Sequence, residues 1–482
     1  MYSTTIFFLF FSLSICNELD EDILVQIKDR KITKNEFIKR SEYTIRPNYL
    51  KGQTNVEKKI ILNSLIAEKL MAIEIEESYL SNKYTNNLIE GYKEQLMRES
   101  FLENEIYNSI IIDSLEVNNY FNNISNHYNV QFLSIKDSDL SSIVDSLLEN
   151  GKEFHQICEN FLNLKEIPKR KINFFEEPDP FIIESVFFNP LSKNQVVGPI
   201  KTKDKKKLYL KVLSWETNPP ITISEKTKLW SDVKDKLYIL KRILAYDDFT
   251  STLMKNQKME IFEKPFLDFL NFYYEKYFDS INNKKILNWD SSFVNEKMLS
   301  IDLDEQFLVV NDEKYTVGDI QKLIEKHPLV FRKDQISKNE FPMHLKYAIA
   351  DLIRDEKITF ITYIEKYDEK PHIKKDVSVL KDAIMFKLHL KTYLEGKNIS
   401  NDDFNKNYEN VINDYLNKYY ENLIEKYNDE IKINYDLLEQ IRITGIDLYA
   451  YKKGYPYPFV VPDFPIITNK FELNFGVDIN IP

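Results

Sequence analysis

The chain has 482 residues, which suggests two to four domains, with 43% hydrophobic residues for packed cores and 29% charged residues. Its net charge of −11 leaves no cationic excess to neutralise phosphates and argues against a nucleic-acid backbone as partner. There are nine glycines, the nearest two being Gly445 and Gly454, so neither G-x-x-x-x-G-K nor G-x-G-x-x-G is present, and the nucleotide-dependent functions built on those phosphate loops are excluded.

From the N-terminus, Ile6 to Ile15 is an apolar run broken only by Ser12 and Ser14. It is too short to span a bilayer, which takes about 20 residues, and fits the core of a signal peptide over 1–16. Leu13-Ser14-Ile15-Cys16 resembles a bacterial lipobox, which makes Cys16 a lipidation candidate and implies a lipid anchor to a membrane. Ordinary cleavage after Cys16, with Ser14 and Cys16 at the small-residue positions, is the alternative. Both place the mature chain outside the cytoplasm, in the periplasm or tethered to the envelope.

Residues 22–126 read as a strand followed by helices. Leu24-Val25-Gln26-Ile27 is a short strand, Lys28-Asp29-Arg30 a turn, and Thr33-Lys34-Asn35-Glu36 a capping box. Ile60, Ile61, Leu65, Ile66, Leu70 and Ile73 form a long apolar stripe, and a further helix runs from Ser81 to Asp113.

Residues 127–216 change character. Val130 to Ile135 is a short strand. Leu140, Ile143, Val144, Leu147 and Leu148 share one helical face, which Gly151 ends. Phe154, Ile157, Cys158 and Phe161 form the inner side of a second helix. Phe181 to Phe188, the turn Asn189 to Asn194, Val196 to Ile200 and a strand alternating Leu208, Leu210 and Val212 complete the segment. This β-α-α-(α)-β-β order resembles the parvulin-type (PpiC) prolyl isomerase domain. Leu148 to Phe154 looks like that family's "L-x-x-G-x-x-F", and Phe187 to Leu191 with Val197 to Thr202 looks like its "F-x-L-x-x-G-x-V-S-x-P-V-x-T". The histidines that the family usually carries fall here on Phe132 and near Leu208, and its Gly-Gly-x-Leu-Gly segment is replaced by Lys169 to Phe175. The resemblance thus implies the fold with no catalytic residue assigned, and a pocket for aromatic or Pro-containing peptides lined by Phe132, Phe181, Phe187 and Leu208. Cys158 reads as a small buried hydrophobe.

The arm before this domain also resembles the N-terminal chaperone region of the SurA and PrsA foldases, on the words Ile27 to Phe37, Leu65 to Leu70 and Tyr120 to Asn123. That resemblance implies that a return segment over 224–300, beginning with a helix whose Leu229, Val233, Leu237, Leu240 and Leu244 face inward, packs on the N-terminal arm. Residues 305–440 read as a second module of the same kind. Thr316 stands 283 positions after Thr33, and Leu345 and Ile349 stand 283 after Leu62 and Ile66. The tail, 441–482, mixes Tyr449, Tyr451, Tyr455, Tyr457 and Phe459 with Pro456, Pro458, Pro462 and Pro465, a density that blocks helix and interior strand, and reads as extended chain.

The fold class expected is multidomain and mainly α, helical chaperone modules carrying an inserted α+β parvulin-like domain. Six scattered histidines, no H-E-x-x-H, no C-x-x-C and no G-x-S-x-G give no metal or nucleophile signature, so no metal and no cofactor is expected. The function implied is an ATP-independent extracytoplasmic foldase or chaperone for unfolded or nascent secreted or outer-membrane proteins, with weak or no prolyl isomerase activity. An active parvulin-type isomerase and a structural subunit of an envelope assembly complex are the alternatives.

Overall fold

The computed structural model describes residues 22–51, 55–75, 82–202, 206–282, 302–333, 335–444 and 448–479; the leader and Cys16 lie outside them. The fold is multidomain and mainly helical, with an α+β domain. Two compact units are present, one made of residues 1–100 and 257–482, the other of 101–256.

The first unit opens on a hairpin, β1 (Ile23–Ile27) and β2 (Arg30–Thr33), whose turn places Lys28 at φ 51°. Thr33 caps α1 (Lys34–Glu42) by accepting from the Glu36 amide at 3.2 Å. The Glu36 carboxylate does not return the bond of a capping box, because it sits 3.0 Å from the Lys69 ammonium. Helix α2 (Asn55–Glu74) is buried without interruption from Ile60 to Ala72. The stripe read in the sequence is therefore only one side of a helix covered all round, and its polar side is a buried ion network. Arg40 forks onto Glu68 at 2.8 and 2.7 Å, Lys69 lies 3.1 Å from Asp382, and Arg30 reaches Asp382 at 3.2 Å. Helix α3 (Lys83–Phe101) follows.

The second unit begins with a π-helical turn (Leu102–Tyr107) and α4 (Ser114–Phe121), capped by Asp113. Its sheet is built from β3 (Asn126–Ile135), β4 (Lys169–Ile172), β5 (Val196–Lys201) and β6 (Lys207–Thr217), antiparallel in the order β4-β3-β6-β5. Between β3 and β4 lie α5 (Ser138–Glu149) and the short α6 (Phe154–Gln156), which continues as a π turn to Phe161. Helix α7 (Pro180–Phe187) follows β4, with Asp179 as N-cap and Pro180 in its first turn. Odd residues of β3 face α5 and α6: Leu133 and Ile135 pack with Val144, Phe154, Ile157 and Cys158. Even ones, Tyr128 and Val130, pack with Leu208, Leu210 and Val212 under Ile183, Val186 and Phe187 of α7. Phe161, expected on the inner side, is exposed; the π turn adds a residue to the helical phase and rotates it outward. Helix α8 (Ile223–Leu253), held by a full Thr222/Glu225 capping box, buries Val233, Leu237 and Leu240 in this same core beside Val117 and Tyr120 of α4. Leu244, read as inward, is exposed.

The chain returns to the first unit through β7 (Met259–Ile261) and α9 (Glu263–Asn282). A second hairpin, β8 (Gln306–Val310) and β9 (Glu313–Thr316), runs into α10 (Val317–Lys326) with a complete Thr316/Asp319 capping box, then α11 (Phe341–Ile364) and α12 (Pro371–Glu395). The hairpins match in detail. The pairs Ile23↔Thr33 and Ile27↔Arg30 recur 283 positions later as Gln306↔Thr316 and Val310↔Glu313, with the same register shift after the first pair, and the left-handed Lys28 recurs as Asn311 at φ 56°. Helices α13 (Asn401–Val411) and α14 (Asn417–Tyr427), strand β10 (Ile431–Ile433), α15 (Tyr435–Gln440) and the two-residue β11 (Val477–Asp478) complete the described chain.

The 224–300 return segment divides: α8 packs on α4 of the N-terminal arm, at Val117 and Tyr120, whereas β7 and α9 do not join the core around α2. Strand β1 pairs with β10 (Val25↔Ile433, Ile27↔Ile431), giving the sheet β11-β10-β1-β2, whereas β7 pairs with β8 (Ile261↔Leu308, Met259↔Val310). The core around α2 is closed by residues between Phe386 and Ile467. Phe266 and Phe269 of α9 pack instead with Phe307, Leu308 and Leu345. The two hairpins present open edges of equal geometry, and β1 takes β10 while β8 takes β7.

Candidate functional site

The side chains proposed for a peptide pocket lie on α7 and on the α7-facing side of the second unit's sheet, and the structure separates them. Phe187, 0% exposed, is a core residue, 5.4 Å from the Phe174 ring and 5.7 Å from Tyr128. Leu208 is likewise buried. Neither lines an open pocket, because α7 is amphipathic and turns Ile183, Val186 and Phe187 onto the strands. Phe181, in its first turn, is 37% exposed, and Phe188, one residue past its end, is 38% exposed. Phe132 sits half-buried at the margin of the same core, with Val197 and Trp230 also on that margin.

Phe132 is where the geometry becomes specific. The Arg170 guanidinium of edge strand β4 lies 5.8 Å from the centre of the Phe132 ring. Its Nη1 is 3.3 Å from the buried Glu177 carboxylate, while its Nε and Nη2 are buried with no hydrogen-bond partner. An arginine ordered by a carboxylate and an aromatic face, with two donors unspent, is suited to accept a carbonyl or carboxylate oxygen. The amide of Asn173 meets His127 Nε2 at 3.4 Å, and Lys236 Nζ donates to the Glu177 carbonyl at 2.8 Å. Burial lowers the Lys236 pKa, with Glu177 opposing. A shallow depression of about 380 Å³ adjoins this edge, lined by Asn129, Val130, Lys169, Arg170, Lys171 and Leu213. Phe161, Phe175, Phe181, Phe188 and Trp215 are exposed aromatics among the described residues of the unit.

On the opposite face the polar groups are structural. Tyr209 donates to Asp145 at 2.6 Å, and Lys207 lies 3.0 Å from the same carboxylate. Burial raises the Asp145 pKa, but these two hydrogen bonds outweigh it and hold the carboxyl below its usual range. Cys158 is fully buried, and burial pushes its thiol up to about 11, so it is a core side chain and not a nucleophile.

Arg170 is the residue that sequence reasoning passed over. In the sequence Lys169 to Phe175 stands only as a replacement for a glycine segment, yet its first four residues form β4, with Arg170 opposite Val130. The available signal was alternation: Arg170 and Ile172 take one face, Lys169 and Lys171 the other, on a short charged strand of the kind that protects a sheet edge. Among the described residues no group of three or more His, Cys, Asp or Glu is placed to hold a metal ion, and no helix is long and apolar enough to cross a membrane.

No family model matches the chain, and no curated protein matches it. Among solved structures, the crystal structure of the foldase protein PrsA from Lactococcus lactis aligns with 48% of this chain and 93% of its own, at 10% identity and a TM-score of 0.18. That score carries no argument about either fold or function.

Proposed function

We propose that this chain is an ATP-independent foldase-type chaperone that holds unfolded or partly folded secreted or outer-membrane polypeptides outside the cytoplasm, with weak or no prolyl isomerase activity. The observation that supports it is the pairing of Phe132 with Arg170 at the open β4 edge. The partly exposed Phe132 ring offers a stacking surface, and the guanidinium beside it, whose Nε and Nη2 are buried without partners, would donate to a peptide carbonyl once a bound segment uncovers them. Both contacts are sequence-tolerant and individually small, which suits a holder that must also release. The work such a site performs is binding and orientation. Rotation about the prolyl bond has a barrier of about 18–20 kcal/mol, and the histidines that the parvulin-type family usually carries are replaced here by Phe132 and near Leu208.

The test is suppression of aggregation of a chemically unfolded reporter, run beside a prolyl-peptide isomerisation assay on one preparation. The full chain should suppress aggregation at near-stoichiometric ratios, and Phe132→Ala with Arg170→Ala should weaken it severalfold without unfolding the second unit. An isomerase rate far above background, lost in the same variants, would replace this reading with an enzymatic one.

A further inference from the structure

The C-terminal segment Tyr449–Phe459 does not lie loosely on the first unit. It folds back on itself through a Tyr451↔Phe459 bridge, and its second half is read in detail by a groove between α3 and α12. The Gln95 side-chain amide forms a reciprocal pair with the main chain of Tyr457, accepting from its N–H and donating to its carbonyl, both at 2.9 Å. The ring of Tyr92 takes Phe459 face to face at 5.2 Å and 14°, and Tyr457 edge-on at 6.1 Å. Tyr457 is itself buried with Leu88 and Leu380, and its hydroxyl donates to the Lys326 carbonyl at the end of α10. Gly91 forms the floor; a Cβ there would overlap both that carbonyl and the Tyr457 hydroxyl. Lys452 is tied to Glu99 at 2.6 Å.

Two features separate this from ordinary core packing. The main contact with the strap's backbone comes from a side-chain amide, which recognises any extended peptide unit. And the strap is bounded on both sides by residues anchored elsewhere: Ile441 before it, and Phe464 and Ile467 after it, belong to the core around α2. The strap's own contacts are thus distinct from those of either anchor.

We infer that the α3/α12 groove is a peptide-binding groove for extended segments carrying Tyr-Pro-Phe-like sequence, and that residues 449–459 are its built-in occupant, a strap that a client segment must displace. This stands apart from the Phe132 site and does not depend on it. Tethering at both ends gives the strap an effective concentration in the millimolar range, so a free peptide competes poorly with the intact chain and binds well once the strap is gone.

The experiment replaces residues 449–459 by a Gly/Ser linker of equal length and measures, by fluorescence anisotropy, binding of a labelled peptide of the sequence 455–460, Tyr-Pro-Tyr-Pro-Phe-Val. Saturable binding at least tenfold tighter than to the unaltered chain is expected, lost when the peptide's second Tyr and its Phe are replaced by Ala. A folded variant that binds neither peptide, or both equally, overturns the inference. The second arm is Gln95→Leu in the full chain, followed by hydrogen exchange. Exchange over 451–459 should accelerate at least tenfold while α3 and α12 keep their protection. If the strap's exchange is unchanged, or α3 and α12 open with it, the segment is core and the inference fails.

Discussion

Removing one carboxylate from the buried network of the first unit should be far more damaging than removing the whole ion pair to which it belongs. Arg40 is fully buried, forks onto Glu68 at 2.8 and 2.7 Å, and gives a third bond to the Asp463 carbonyl at 2.9 Å. The neighbouring charges are committed: Lys69 lies between Glu36 and Asp382, and Asp382 also receives Arg30. Three cations thus face three anions, and Glu68→Leu leaves three against two with the guanidinium short of two acceptors. Breaking such a pair from one side costs about 3–5 kcal/mol. At about 2 °C per kcal/mol for a unit of this size, the first unit's calorimetric transition should fall by about 6–10 °C, the second unit's transition serving as internal reference. Replacing both partners, Arg40→Met with Glu68→Leu, removes the uncompensated charge and should recover most of the loss, because well-packed apolar pairs often equal a buried ion pair. A single variant that loses less than about 1 kcal/mol, or a double variant as damaged as the single one, would refute the charge-balance reasoning.

Two further outcomes follow from burial. Phe187→Ala should cost the second unit about 3–5 kcal/mol, whereas Phe181→Ala, on the exposed side of α7, should stay within about 0.5–1 kcal/mol of the parent; urea unfolding followed by fluorescence decides, and the reverse ranking would mean the helix phase is wrong. His327 is buried against Glu94 at 2.6 Å, with Arg98 and Lys326 as its other charged neighbours, and burial holds its pKa below 6.5 despite the Glu94 hydrogen bond. The unfolded chain therefore takes up a proton below pH 6.5 that the folded chain refuses, so stability falls as pH drops through that range. Burial raises the Glu94 carboxyl, but its His327 and Lys326 partners outweigh this and hold it at about 2, adding a second loss between pH 4.5 and 2. His327→Gln should flatten the first segment in a series of melting temperatures and, by removing a partner of Glu94, also weaken the second; an unaltered first slope would remove His327 as its source.

The alternation of Leu208, Leu210 and Val212, the capped starts at Thr33 and Thr316 and the break at Gly151 were legible because each depends on neighbours in sequence. What was not legible depended on helix phase or on distant partners. Phe187 and Phe188 are adjacent and chemically alike, yet one is sealed and the other open, and only the rotation of α7 decides between them. Phe161 was misplaced for the same reason, through the π turn. Family wording singles out Phe132 but not its neighbour Arg170, since nothing local says that a Lys-Arg-Lys run will pair with Val130. Proline density in the tail excludes helix; that Gln95 would grip Tyr457 is not legible, the two being 362 positions apart.

The way the two hairpins are completed has the widest consequence. An isolated helix apolar on one side needs one partner, but one buried all round, as α2 is, needs cover on every side, and the sequence before residue 300 does not supply it. The cover arrives with β10 and with the residues from Phe386 to Ile467, while β7 and α9 serve the second hairpin. Each half of the first unit therefore completes the other, as swapped protomers do, here within one chain. Two pieces, residues 1–282 and 302–482, should then assemble when co-expressed and co-purify as a 1:1 complex, since each holds the strand the other lacks. Expressed alone, each should self-associate or fail to show a cooperative thermal transition. If both pieces instead fold separately as stable monomers, β7 can close β1 within its own half, and the matched registers at β1 and β8 do not determine which return strand is accepted.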